Sequence, residues 1–275
     1  MNRIIIAWIF VLTLSLAVFS QAEYTSLELK FSGNKEIPTA DLKNAVLTCY
    51  GDYWKQPGDN LVRYLEHFGS KCSKDVLHSR GFWRSRINGV WIDKNAKALN
   101  VEISITEGLQ YRVGELSVVG EDILSESEIL SFLVLSKGDV PNGVKLQELL
   151  YDKLKEVYAE RGYVQYSAEF EPEFIEPSED KPDATVDITI LVDEGKQFKV
   201  GRIEFKGVDE TVSNELLKSL KIGAGEIYVP RKIKESIDLM NQEQRFRFID
   251  NYQHVQILVD EESANVTIII ALKPH

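Results

Sequence analysis

The string "VGELSVVG" at 113–120 returns as "VGRIEFKG" at 200–207, and a fainter "SLELKFSG" occupies 26–33. The closing glycines, Gly33, Gly120 and Gly207, are 87 residues apart (120 − 33 = 207 − 120 = 87). A fixed period of this size marks a tandem array, and each unit is long enough to build one small layered domain. The same shift carries Leu29 to Leu116 to Ile203 and Phe31 to Val118 to Phe205. These are alternate positions before the glycine, as one buried strand face requires. It also carries Leu42 to Ile129 to Leu216 and Val46 to Leu133 to Leu220. An apolar pair four residues apart in all three copies predicts a short helix with one inward stripe. Ser125 with Glu128 reads as a capping box at the start of that helix in copy two. Gly51, Gly138 and Gly225 share the register just past it, where a left-handed turn residue is expected.

A second helical stretch follows. In copy two it is "VKLQELLYDKLKEVYAERGY", with Leu146, Leu149, Leu150, Leu154, Val157 and Tyr158 on one face. It closes on Arg161-Gly162-Tyr163; copy one closes on Arg80-Gly81-Phe82, and copy three keeps Arg245-Phe246 without the glycine. There the glycine ends a helix and the aromatic enters the core. Next, in "QYSAEFEPEF", Tyr166, Ala168, Phe170 and Phe174 alternate with Gln165, Ser167, Glu169, Glu171 and Glu173. This is a strand with one apolar and one acidic face. After the acidic, proline-rich "IEPSEDKPD", Val186, Ile188, Ile190 and Val192 form the inner face of a last strand. Its counterparts are Val101, Ile103 and Ile105 in copy one, and Val266, Ile268 and Ile270 in copy three.

Each unit therefore reads strand–helix–helix–strand–strand, two helices on a three-stranded mixed sheet, in the α+β class. The expected organisation is a signal peptide at 1–22 and three domains at 23–107, 108–194 and 195–275. Arg3, the apolar run after it, and the small residues Ser20 and Ala22 place cleavage after Ala22. An uncleaved N-terminal anchor is the other reading. Losing Arg3 takes the formal charge from −11 to −12, which disfavours nucleic acid and anionic lipid. Any association with a membrane is thus expected to run through a partner.

Cys49 and Cys72 are the only cysteines; in an exported chain they read either as a disulfide or as two buried thiols. Zinc needs about four protein ligands, and four scattered histidines add no ligand set, so no metal and no cofactor is expected. No nucleophile elbow, H-E-x-x-H or Walker loop occurs, and the chain does not read as an enzyme.

With the last strand central, the second strand of each unit lies on an edge and offers unpaired backbone groups to another chain. In copy two this selects Gln165, Tyr166, Ser167, Ala168, Glu169 and Phe170 as candidate polypeptide-binding residues, with Pro172 interrupting the later half. In copy three the edge is "NYQHVQILV", with Val255, Ile257 and Val259 facing inward. An ordinary edge guarded by charge is the alternative. The copy-one insertion "YGDYWKQPGDN" offers Tyr53 and Trp54 either as a partner grip or as a lid over the helix pair.

The strand ending in V-x-G, the RGF or RGY after the second helix, and the V-x-EG that closes the last strand resemble the POTRA (polypeptide-transport-associated) domain. That domain repeats through the periplasmic part of the outer-membrane assembly factor BamA and its relatives. The resemblance covers essentially all of 23–275. It implies a non-catalytic periplasmic scaffold that takes extended segments by β-augmentation. The partners implied are unfolded or nascent outer-membrane proteins and a separate β-barrel or accessory subunit. No barrel is expected within this chain, because "ALKPH" ends it without a series of ~10-residue alternating strands. A second reading places POTRA-like modules in cell division or wall assembly.

Overall fold

The computed structural model describes residues 24–242 and 255–272. The expected signal segment, Arg245-Phe246 and the start of the copy-three edge lie outside them. Among the described residues no helix is long and apolar enough to cross a membrane.

Three sheets of three strands follow one plan. The first holds β1 (Ser26–Ser32), β2 (Arg86–Asn95) and β3 (Ala98–Thr106), in the order β1-β3-β2. The second holds β4 (Arg112–Val119), β5 (Ser167–Ile175) and β6 (Thr185–Asp193), as β4-β6-β5. The third holds β7 (Lys199–Lys206), β8 (Val255–Asp260) and β9 (Asn265–Ala271), as β7-β9-β8. The last strand of each unit is central, parallel to the first, and in the second and third sheets antiparallel to the edge strand. The apolar faces meet in register: Leu29 lies beside Val101, Leu116 beside Ile188 and Ile203 beside Ile268. From the first to the second sheet the central strand keeps the 87-residue period (188 − 101), but the third arrives seven residues early (268 − 188 = 80). The acidic hairpin loop of copy two, the nine residues 176–184, accounts for five of these seven, since copy three turns in the four residues 261–264.

The closing glycine is what the repeat cannot vary. Gly120 has φ +90°, and a Cβ there would lie 2.2 Å from the Val192 carbonyl oxygen. Gly33 and Gly207 stand in the same relation to Ile105 and Leu272, at 2.0 and 2.1 Å. The first strand thus turns into its helix hard against the backbone of the central strand, where only glycine fits.

Helices α1 (Thr39–Tyr50) and α2 (Leu61–Ser79) belong to the first unit's plan, with a 3-10 turn at Tyr53–Lys55 between them. Helix α3 (Glu126–Leu133) starts with the capping box: the Glu128 N–H donates to Ser125 Oγ, and the Ser125 N–H to the Glu128 carboxylate. Gly51 ends α1 directly, whereas Gly138 and Gly225 lie in loops, and their N–H groups donate to Val113 and Val200. One register therefore serves two structural roles.

The second helix of copy two departs from the single helix expected. It runs α4 (Gly143–Glu148), a π turn (Leu149–Leu154) and α5 (Lys155–Ala159) without a break. Its buried stripe is Leu146, Leu150, Leu154 and Tyr158, at strict four-residue spacing. In an α-helix such a stripe drifts about 40° with each step. The wider π turn takes up that drift and keeps all four side chains on the sheet. Leu150 and Leu154 are wholly buried against Val186, Ile188 and Ile190, so truncating either to alanine costs on the order of 2–5 kcal/mol. Helices α6 (Glu210–Ser219) and α7 (Pro230–Gln242) cover the third sheet, with Ile233 and Met240 packed on Ile268 and Ile270.

The chain divides into two compact units: residues through Lys74 with Ile87–Thr106, and Asp75–Arg86 with everything from Glu107 onward. The end of α2 and the Arg80-Gly81-Phe82 turn therefore belong to the body that holds the second and third sheets.

Candidate functional site

Strand β5 pairs with β6 along its whole length, from Ser167 opposite Asp193 to Ile175 opposite Thr185. Among the described residues its other side has no strand neighbour in the sheet. The strand begins at Ser167, so Gln165 and Tyr166 precede it. Tyr166 is buried, its ring stacked on Tyr158 at 4.3 Å and its hydroxyl donating to the Leu150 carbonyl. Gln165 donates instead to Glu261 in the β8–β9 turn. Ala168 is buried and Phe170 and Phe174 are half-buried on the core side, while Ser167, Glu169, Glu171 and Glu173 are exposed.

The core side of this edge is covered by residues that sequence reading did not connect to it. Trp83 packs on Phe170 with ring centroids 5.6 Å apart, and its indole N–H donates to the carbonyls of His78 and Pro141. The Arg84 guanidinium lies over the Phe174 ring and is ion-paired with Glu176, to which Tyr111 also donates at 3.1 Å. Desolvation, ahead of the Glu176 contacts, raises the Tyr111 phenol above its ordinary pKa. The position of Trp83-Arg84, directly after the RGF turn, was the only signal for this bracing.

What stays open on β5 is its backbone edge and its acidic outer face. Across the pair, Glu173 faces Asp187, Glu171 faces Thr189 and Glu169 faces Leu191. The Asp187 carboxylate accepts the Glu115 N–H at 2.7 Å. Such a face repels anions, and Pro172 removes one backbone donor.

The carboxylate of the V-x-EG motif also has a structural place. Glu194 is only 8% exposed and accepts from the N–H groups of Asp122 and Ile123 and from the Tyr158 hydroxyl at 2.8 Å. It ties the end of the central strand to the loop after β4. Burial, with the Glu194 hydrogen bond second, pushes the Tyr158 phenol far above its ordinary range.

At the other end of the chain, Tyr53 stacks on Tyr64 at 4.1 Å, and Tyr64 packs in turn on Phe68 at 4.5 Å. The Tyr64 hydroxyl donates to the Cys49 carbonyl. Trp54 is half-buried beside the Lys55 ammonium. The insertion thus lies as an aromatic lid on α2, with Tyr53 left 46% exposed. Cys49 and Cys72 are joined as a disulfide beneath it. In copy three, Val259 of β8 is 48% exposed rather than turned into the core, because it lies at the far end of a short strand. Among the described residues no group of three or more potential ligands could hold a metal ion.

Comparison with known proteins agrees with this architecture. The POTRA family model, described as a surface antigen variable number repeat, matches 111–195 and 198–274, together more than half of the chain. The putative outer membrane protein assembly factor of Treponema pallidum is 26% identical over 219 residues, covering 76% of this chain and 25% of its own length. The outer membrane protein assembly factor BamA of Nitratidesulfovibrio vulgaris is 21% identical over 229 residues, covering 81% of this chain and 28% of its own. The chain thus spans about a quarter of the length of these curated relatives. Among solved structures, domains POTRA3-5 of Haemophilus influenzae BamA superpose with a TM-score of 0.64 at 19% identity, over 92% of this chain and 96% of that one. This last likeness is one of fold.

Proposed function

The chain belongs to the POTRA family, and from that premise we propose that it is a non-catalytic scaffold of the periplasm, serving outer-membrane protein assembly. The relatives from Treponema pallidum and Nitratidesulfovibrio vulgaris carry that role in their names. The observation that carries the mechanism is the open side of β5. Nine residues of extended strand, fully paired with β6 on one side, face no strand on the other among the described residues. An incoming extended segment adds there as a fourth strand, pairing the backbone groups of the sheet edge. Glu169, Glu171 and Glu173 discourage the edge from pairing with a second copy of itself, since like charges brought opposite one another destabilise a strand pair. Trp83 and Arg84 hold the core side of β5 rigid, which spares an incoming strand the cost of ordering it.

In-cell photo-crosslinking from Ser167 and Glu169, with adducts identified by mass spectrometry, tests this. Outer-membrane β-proteins or a barrel subunit among the adducts are the expected result. Adducts confined to wall or division proteins would move the scaffold to another pathway. An empty result at these two positions, with adducts elsewhere on the chain, would remove β5 as the docking strand.

A further inference from the structure

The join between the second and third sheets is built in three parts. At its centre the Phe198 N–H donates to the Gly162 carbonyl at 2.9 Å, and the Gln197 side-chain amide donates to the Arg161 carbonyl at 3.0 Å. Gly162 has φ +87°, and a Cβ there would lie 2.6 Å from the Ile227 side chain. The same arrangement recurs around Gly81: Tyr111 N–H to the Gly81 carbonyl, the Gln110 amide to the Arg80 carbonyl, and Val140 against the glycine. This centre is therefore a property of the repeat.

Polar contacts flank the centre in both layers. In the sheet layer, Gln165 donates across the join to the Glu261 carboxylate at 3.0 Å, and the Lys196 ammonium, at the start of the third domain, steadies Glu261 by donating to its carbonyl at 2.8 Å. In the helix layer, Arg231 at the start of α7 grips Glu160 just past α5 with two bonds of 2.8 Å, while its remaining nitrogen reaches Glu235. Glu160 is held below the ordinary carboxylate range chiefly by the Arg231 hydrogen bond. At the Gly81 turn the positions corresponding to Glu160 and Arg231 are Ser79 and Val144, which cannot form an ion pair. The sheet-layer contact does have a counterpart there: Arg84, three residues after its glycine as Gln165 is after Gly162, pairs with Glu176 of the next hairpin.

We propose that the angle between the second and third domains is set by these two opposed clasps about a fixed backbone pivot, and that the Glu160–Arg231 pair is the releasable one. The pivot is made of backbone bonds and a close glycine contact, so it permits rotation more readily than separation. The sheet-layer clasp has a neutral donor in Gln165, and a lysine bonded to a carbonyl rather than to a counter-ion. The helix-layer clasp is a pair of full charges at the surface, with Arg231 57% and Glu160 39% exposed. Such an exposed pair weakens as salt is added, because the Debye length falls from ~8 Å at physiological ionic strength to ~3 Å at 1 M. Releasing it opens the groove lined by Val157, Ala159, Pro230 and Lys234.

The test is a distance distribution by pulsed electron resonance on the full chain, with spin labels at Lys153→Cys and Lys218→Cys, both exposed in the helix layers. Glu160→Gln leaves the Arg231–Glu235 bond in place and removes the charge across the join. It is expected to lengthen the distance, shifting the ratio of closed to open populations by up to about fivefold, the factor a well-formed surface pair supplies. Raising the salt concentration should reproduce that shift in the unaltered sequence and leave Glu160→Gln unchanged. Gln165→Ala with Lys196→Ala should shorten the same distance. Circular dichroism confirms that each variant is folded. Shifts of both variants in one direction, or a distribution unmoved by Glu160→Gln and by salt, overturn the proposal.

Discussion

Replacing both Cys49 and Cys72 by alanine should destabilise the first compact unit far more than any surface change in it. The bridge spans 23 residues and joins the last turn of α1 to the middle of α2. Chain-entropy accounting for a loop of that length gives about 3 kcal/mol of stabilisation through the unfolded state. Cys72 is also buried in the native protein, so its truncation removes packing as well. In a unit of roughly 70 residues, each 1 kcal/mol moves the melting temperature by about 4–8 °C; the double variant should therefore melt some 12–24 °C lower. Hydrogen exchange read by mass spectrometry localises the loss, which should fall on α1 and the first half of α2 and spare β5 and β6. Addition of a reductant to the unaltered chain should reproduce the effect. A shift under about 4 °C, equivalent to less than about 1 kcal/mol, would refute the reasoning. It would show that the Tyr50 hydroxyl on the Leu65 carbonyl and the Tyr53–Tyr64–Phe68 stack hold the two helices without the bridge.

Two further outcomes follow from the second sheet and its neighbours. Gly120→Ala forces a methyl to within 2.2 Å of the Val192 oxygen at positive φ, whereas Gly138→Ala meets open space at a similar φ. Denaturant titration should show a loss above about 2 kcal/mol for the first and about 1 kcal/mol for the second; equal losses would mean that the close approach is not what fixes the glycine. The phenols of Tyr50, Tyr158 and Tyr166 are all raised in the folded state, burial being the first cause in each. Their contribution to stability is complete below the ordinary tyrosine pKa of ~10 and falls as pH rises beyond it. Absorbance at alkaline pH should show these three ionising only as the protein unfolds, and early titration of all the tyrosines would contradict that burial.

Much of the architecture was legible because the 87-residue period repeats the physics three times. The V-x-G close, the alternate apolar positions of the strands and the Ser125–Glu128 cap each state a local requirement, and the sheet order follows once the last strand is central. Less legible were features that depend on distant partners. Nothing adjacent in sequence links Trp83 and Arg84 to Phe170 and Phe174, and Gln165 reads as part of a strand until its side chain is seen on Glu261. The π turn left a trace in the strict spacing of Leu146, Leu150, Leu154 and Tyr158, which an ordinary helix does not keep in line. The open side of β5 was readable as topology, but its bracing was not, because that comes from Trp83 and Arg84, distant in sequence from Phe170 and Phe174.

The turn at Gly81 and the turn at Gly162 meet the residues that follow them through the same parts: a glycine carbonyl, a glutamine amide, an aromatic N–H and a β-branched side chain. The glycine carbonyl travels with the module that ends, and the glutamine, the aromatic residue and the β-branched side chain with the module that begins. The first two modules therefore end on the same socket, and the second and third begin with the same plug, whatever their surfaces do elsewhere. Gain, loss or exchange of a module behind such a turn leaves the backbone joint intact, while the side-chain clasps that flank it change with the modules that meet.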